Sequence, residues 1–174
     1  MPKNILPFEE FSPIIHETAF VAPSADIIGN VEVGADSGIW YGCVLRGDVN
    51  EIRIGARTNI QDGTIIHVAT HGQGTYIGDD VSVGHMAIIH ACTLESGSFV
   101  GMKACVMDGA LVESGAMVAA GALVPPGRVV KSGELWAGVP AKAIRELGAQ
   151  DKQMMEWTAP HYVTLAKRHK ESQT

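Results

Sequence analysis

From Leu94 to Val129 the chain reads LESGSF, VGMKAC, VMDGAL, VESGAM, VAAGAL, VPPGRV, six consecutive units of six residues. An aliphatic residue opens every unit. The fifth place is Ser98, Ala104, Ala110, Ala116 and Ala122, and only Arg128 breaks the rule at the end. The same phase runs backwards through openers Val83, Ile77, Ile66, Ile60, Ile54, Leu45, Ile39, Val33, Ile27, Val21 and Ile15, with Ile89 opening a shortened unit of five. One aliphatic and one small slot per hexad is the pattern of a parallel β-helix. Each unit gives a short strand and a turn, and three units close a triangular coil of about 18 residues. Coils stack at ~4.8 Å, so openers pile on openers. An alternating β-sandwich does not hold one hexad phase over roughly 100 residues. Counting units from Ile15 to Val124 predicts six coils.

The composition fits a narrow coil. Of 174 residues, 20 are Gly and only 6% are aromatic, while 46% are hydrophobic. A slim prism has little room for rings. Charged residues make up 18%, below the usual ~25%. The formal charge of −6 with no basic stripe argues against a nucleic-acid partner. No apolar run approaches the ~18 residues of a membrane span, and the opening MPKNILPFEEF lacks the apolar stretch of a secretion signal. Cys43, Cys92 and Cys105 are scattered and odd in number, so they read as small buried hydrophobes in a reducing, cytoplasmic setting. We expect one all-β domain, with residues 1–14 as lead-in, 15–130 as β-helix and 131–174 as exit turn and C-terminal helix. Asp151 to about Lys170 reads as that helix, with Asp151 as N-cap, Met154, Trp157, His161 and Leu165 on one face, and Pro160 kinking or breaking it.

Two interruptions of the hexads stand out. Three extra residues fall around Asn50–Arg53, and the unit opened by Ile66 is stretched by the polar segment Val68–Tyr76, expected to protrude. The histidines cluster there. His67 follows opener Ile66 and His90 follows opener Ile89, so slot counting stacks them one coil apart. Arg46 lies one coil below His67, with Asp48 beside it. His85 falls in the slot above Asp62, next to Gln61, on a face that points away from the first column. His16, His161 and His169 stand alone and read as surface or locally bonded groups. The two columns meet only where one copy packs on another in a three-fold assembly. Three neutral imidazoles with an open fourth position is the layout of a catalytic zinc centre, and imidazole also suits ferrous iron and cobalt.

The segments LRGDVNEIRIGARTNIQDGTIIH (45–67) and IGDDVSVGHMAIIHACTL (77–94) resemble the γ-class carbonic anhydrases of the hexapeptide-repeat superfamily. The resemblance implies a left-handed β-helix, a homotrimer, and zinc ligands at His67, His85 and His90 drawn from neighbouring subunits. It implies reversible hydration of CO2 to bicarbonate. Gln61 would orient substrate, Arg46 would pair with Asp62 across the interface or hold bicarbonate, and Tyr162 of the C-terminal helix would stand near the metal. Two departures concern proton export. Val49 stands where the best-known branch carries a glutamate, and the 68–76 loop has no carboxylate, leaving His71 as a substitute carrier. Ala91 stands where glycine is common. The competing readings are a hexapeptide acyltransferase, sharing the exit Gly138–Lys142 and using a histidine base without metal, and a metal-dependent thioester hydrolase or non-catalytic metal scaffold.

Overall fold

The computed structural model describes residues 4–173, so the first three residues of the lead-in and Thr174 lie outside it. Because the opener of each hexad is aliphatic, it turns inward and its backbone pairs in parallel with the opener one turn above. Three ladders result. On face 1, Ile5, Ile27, Leu45, Ile66, Ile89, Val106 and Val124 stack in register. On face 2 the column is Ile15, Val33, Ile54, Ile77, Leu94, Val112 and Val130. On face 3 it is Val21, Ile39, Ile60, Val83, Val100, Val118 and Trp136. The openers and the small fifth-place residues together form one continuous core.

The solenoid has about seven turns, one more than the hexad count. The extra turn is split between the ends. Ile5 opens the first level ten residues before Ile15, off the hexad phase, while Val130 and Trp136 complete the last. After Trp136 the strand Glu134–Gly138 pairs antiparallel with Ala141–Glu146, which ends the parallel stack. The expected interruption around Asn50–Arg53 is present as a slip in the ladder: Gly29 pairs with Gly47 but Val31 pairs with Ile52, so three extra residues lie between them. They stay within one strand, Val44–Ile54, which turns the corner from face 1 to face 2 as the unexpanded Asp26–Val33 does one turn below. The bend is made at Gly29, in the left-handed region at φ +77°, where a Cβ would meet the Gly47 carbonyl oxygen at 2.4 Å. The glycine of Arg46-Gly47-Asp48 lies in register with it.

The rings sit outside the prism. Phe20 and Trp40 are buried on face 3 under the helix Ala149–Ser172, packed with Ala166 and the partly buried Tyr162. This helix starts two residues before the expected Asp151. Gly148 is its N-cap, and the Asp151 carboxylate accepts the Gly148 N–H at 2.8 Å from the first turn. The hydrogen bond from Arg145, then that from Gly148, hold the Asp151 carboxyl down to about 2. Pro160 does not break the helix: Thr158, Ala159 and Ala166 are buried on either side of it, and this packing outweighs the lost backbone bond. The buried stripe is made of these small residues, which let the helix lie close to face 3. Met154 and Trp157, expected inward, face solvent. At the far end, Tyr41 Oη lies 3.0 Å from His169 Nδ1 and accepts from Gln173 Nε2. Lys170 Nζ donates to the Glu17 and Ala19 carbonyls. Cys43 and Cys92 are buried core groups with thiols pushed up by burial, to about 11 and about 12.

Glycine after an opener has a packing cause. At Gly101 a Cβ would lie 2.4 Å from the Ala120 backbone nitrogen, because the next turn passes directly over it. Gly101→Ala is expected to cost about 1–3 kcal/mol through overpacking, roughly 3–10 °C in Tm for a chain of this size. A thermal melt that leaves the Tm unchanged would show that the turns have slack at this corner.

Candidate metal centre

The corner between faces 1 and 2 is built differently at successive levels. At the level of Leu45 it is widened by Gly47–Glu51, and at the next by the loop 68–74. The Asn50 side chain ties the two together, donating to the carbonyls of Ala69 and Gly72 at 3.2 Å each. One level higher the corner is tight, turning at Ala91 with φ +45°. Into this bay the ladder delivers Arg46, His67 and His90, in register one above another.

His67 Nδ1 and His90 Nε2 face each other at 3.2 Å. The outer nitrogen of each ring meets a carboxylate: His67 Nε2 lies 3.0 Å from Asp48 Oδ1, and His90 Nδ1 lies 2.7 Å from Asp108 Oδ1. Carboxylates accept only, so each outer nitrogen carries a proton, and in the neutral rings each inner one keeps its lone pair. Two lone pairs at this separation repel unless a cation lies between them. A tetrahedral zinc with nitrogen bonds of ~2.0–2.1 Å spaces its ligand atoms about 3.3–3.4 Å apart. The donor set therefore fits a metal, with both rings oriented by carboxylates behind them. Arg46, half-exposed, pairs with the other Asp48 oxygen. Burial works to raise the Asp48 carboxyl, but the hydrogen bonds from His67 and Arg46 outweigh it and hold the group below the ordinary carboxylate value.

The second group stands at the other edge of face 1. His85 lies in the turn between Ser82–Val83 of face 3 and Ile88–His90 of face 1, so the two columns flank one face instead of pointing apart as slot counting suggested. Its Nδ1 is 2.9 Å from Asp62 Oδ2. Gln61 is buried beside Asp62, its Nε2 donating to Asn59 Oδ1 at 3.0 Å, and Asn59 in turn donates to Ser82. Tyr162 packs edge-on against Trp40 at 5.4 Å. Burial first, and the charge of Asp62 second, push its phenol up, so the helix brings Tyr162 to the His85 corner. Among the described residues no three His, Cys, Asp or Glu side chains surround a single point. His71 lies exposed on the 68–74 loop.

Sequence reading missed Asp108 and Asn50. Asp108 stands two places after opener Val106, where it looks like any turn aspartate. Its signal is its slot, one turn above Ala91 and thus beside His90.

No protein-family model matches the chain. Gamma carbonic anhydrase 2, mitochondrial, of Arabidopsis thaliana is 52% identical over 163 residues, covering 91% of this chain and 59% of that protein. The chain thus spans about three fifths of the length of that plant relative. The probable carbonic anhydrase of Methanocaldococcus jannaschii is 43% identical over 153 residues, covering 88% of this chain and 96% of that protein. The crystal structure of a hexapeptide transferase family protein from Anaplasma phagocytophilum matches with a TM-score of 0.92 at 46% identity, covering 96% of this chain and 98% of that one. A hexad solenoid with this register, and relatives at this identity over most of its length, place the chain in the γ-carbonic anhydrase-like family of hexapeptide-repeat β-helix proteins.

Proposed function

We propose that this chain, as a homotrimer, holds zinc or a similar divalent ion between neighbouring copies and interconverts CO2 and bicarbonate. The observation that carries the reading is the pair of facing ring nitrogens at 3.2 Å, each ring backed by a carboxylate. The placement of the groups supports the trimer. His85 marks one edge of face 1, and His67 with His90 marks the other. Between them Ile65 and Ile88 are 39% and 46% exposed, stacked in one apolar strip with Val44, Cys105 and Leu123. Three copies packed by this face around an axis bring the His85 edge of one against the His67–His90 edge of the next.

Zinc, when bound, makes water acidic near neutral pH and polarises a substrate oxygen. The chain's own groups do the rest. Asp48, Asp62 and Asp108 fix the tautomer and aim of the three imidazoles, so the opposite ring nitrogens are directed at the ion. Gln61, its amide anchored by Asn59, presents its carbonyl oxygen to accept a hydrogen bond from water and fix its orientation. The free donors of Arg46 face outward from the bay and suit the carboxylate of bicarbonate or the Asp62 of a neighbouring copy. Tyr162 walls the His85 side with an apolar ring and a hydroxyl. Acyl transfer needs one histidine base and no metal, so it leaves the His67–His90 pair and its two carboxylates without a purpose.

Zinc-replete protein is expected to carry one ion per chain and to run as a trimer in native mass spectrometry. His85→Ala is expected to lose the ion although it leaves His67 and His90 untouched, and full zinc retention in that variant would refute a site shared between copies. Asp108→Asn is expected to weaken zinc binding about 10–100-fold with an unchanged circular dichroism spectrum. Stopped-flow CO2 hydration by the metal-loaded protein checks the activity, and a rate equal to buffer alone across pH 7–9 would sink it.

A further inference from the structure

We propose that His161 is the proton carrier of the site, passing the proton released by hydration from the His85 corner to solvent. The proposal rests on the CO2-hydration reading. That reaction consumes one water and one CO2 and yields one bicarbonate and one proton, and the proton must leave on an exposed base before the next cycle. The carboxylates near the histidines are already engaged. Asp48, Asp62 and Asp108 each face a histidine ring nitrogen. Val49 offers no base, and the 68–74 loop carries no carboxylate, only the imidazole of His71.

His161 lies on the exposed side of the helix that covers the His85 corner. Its ring stacks on Trp157 one turn earlier, with centroids 4.2 Å apart and planes inclined by 18°. It also meets Tyr162 edge-on at 5.7 Å. Tyr162 in turn lies within reach of the Asp62 charge, and Asp62 bonds His85. His161 is thus one aromatic ring removed from the corner. Neither of its ring nitrogens has a hydrogen-bond partner among the described residues, so both are free to take and release a proton. The indole face fixes the ring without using either nitrogen, and it favours the imidazolium that forms in transit. The groups facing it are Trp157 and Tyr162 on its own helix, with Asp62 and His85 beyond them on the β-helix. His71, the other exposed histidine near the site, has no ring contact to hold it on its loop.

In each turnover a water at the site loses its proton, which crosses to one His161 nitrogen through an intervening water, and the hydroxyl left behind forms the new C–O bond of bicarbonate. The imidazolium then passes a proton to a buffer base, and the free imidazole is restored. In zinc-loaded trimer with dilute buffer, His161→Ala is expected to lower kcat at least about tenfold while kcat/KM stays near wild type, and added imidazole should restore kcat. Trp157→Leu, which keeps the imidazole but removes its platform, should fall between the two. A second readout needs no turnover: the His161 ring resonance followed by NMR should titrate at lower pH with zinc bound than in metal-free protein. An active wild type with an unaffected His161→Ala variant, a loss confined to His71→Ala, or a titration indifferent to zinc would each overturn the assignment alone. An inactive wild type would overturn the parent reading and this one with it.

Discussion

Everything in this molecule depends on the parallel backbone ladder that repeats one turn over another. Each strand hydrogen-bonds to the equivalent strand below, so a slot in one turn lies a strand spacing of ~4.8 Å from the same slot in the next. That spacing cannot relax without breaking bonds along a whole face. It is why His67 and His90, 23 residues apart in sequence, hold their rings at contact distance. It is also why glycine is required where a turn passes over an opener's neighbour, as at Gly101 beneath Ala120. A loop-borne site would need many separate contacts to hold two imidazoles so close, whereas here the register does it and Asp48 and Asp108 need only set the ring orientation.

The same regularity explains what was legible before the structure. Hexads with one aliphatic and one small slot define the coil, and counting slots puts Arg46, His67 and His90 in one column and His85 over Asp62. What counting missed lies where the hexad rule lapses. Ile5 opens a first turn at an irregular distance from Ile15, so the seventh level was invisible. The three extra residues near 50 do interrupt the ladder, but counting could not show that they stay within one long strand, bent where Gly29 and Gly47 lie side by side. Slot counting named the face of His85 but not its position in the turn leading to face 1. Asp108 shares its slot, two places after an opener, with ordinary turn residues such as Asp79 and Ser114, and only its neighbour one turn away distinguishes it. In the helix, apolar size misled: Met154 and Trp157 are large and face out, while Thr158, Ala159 and Ala166 are small enough to be buried.

The departures from regularity also mark the chemistry. Two successive turns are widened at the corner between faces 1 and 2, and the third is tightened at Ala91. The result is a recess of chosen depth at one level of an otherwise uniform prism. Asn50 braces that recess by bonding the loop above it, so the widened corner is held open by the chain itself. At the opposite edge the helix brings Tyr162 to the His85 corner. Its docking by Phe20, Trp40 and Tyr41 around His169 is therefore part of the site's support as well as of the fold.

Placing the two histidine groups on opposite edges of one apolar face has an energetic consequence for the proposed assembly. A lone protomer supplies two facing lone pairs and leaves Ile65 and Ile88 exposed, and neither condition is relieved within the chain. Packing copies by that face buries the strip, and by the same movement brings the third imidazole to the other two. Metal binding and association then stabilise each other by mass action, since an ion that binds only the assembled form favours it. The low charge of the chain serves the same end. A face that must be covered by its own copies cannot carry a row of like charges, and outward from Ile65 and Ile88 the ladder continues with Val44, Cys105 and Leu123, none of them charged.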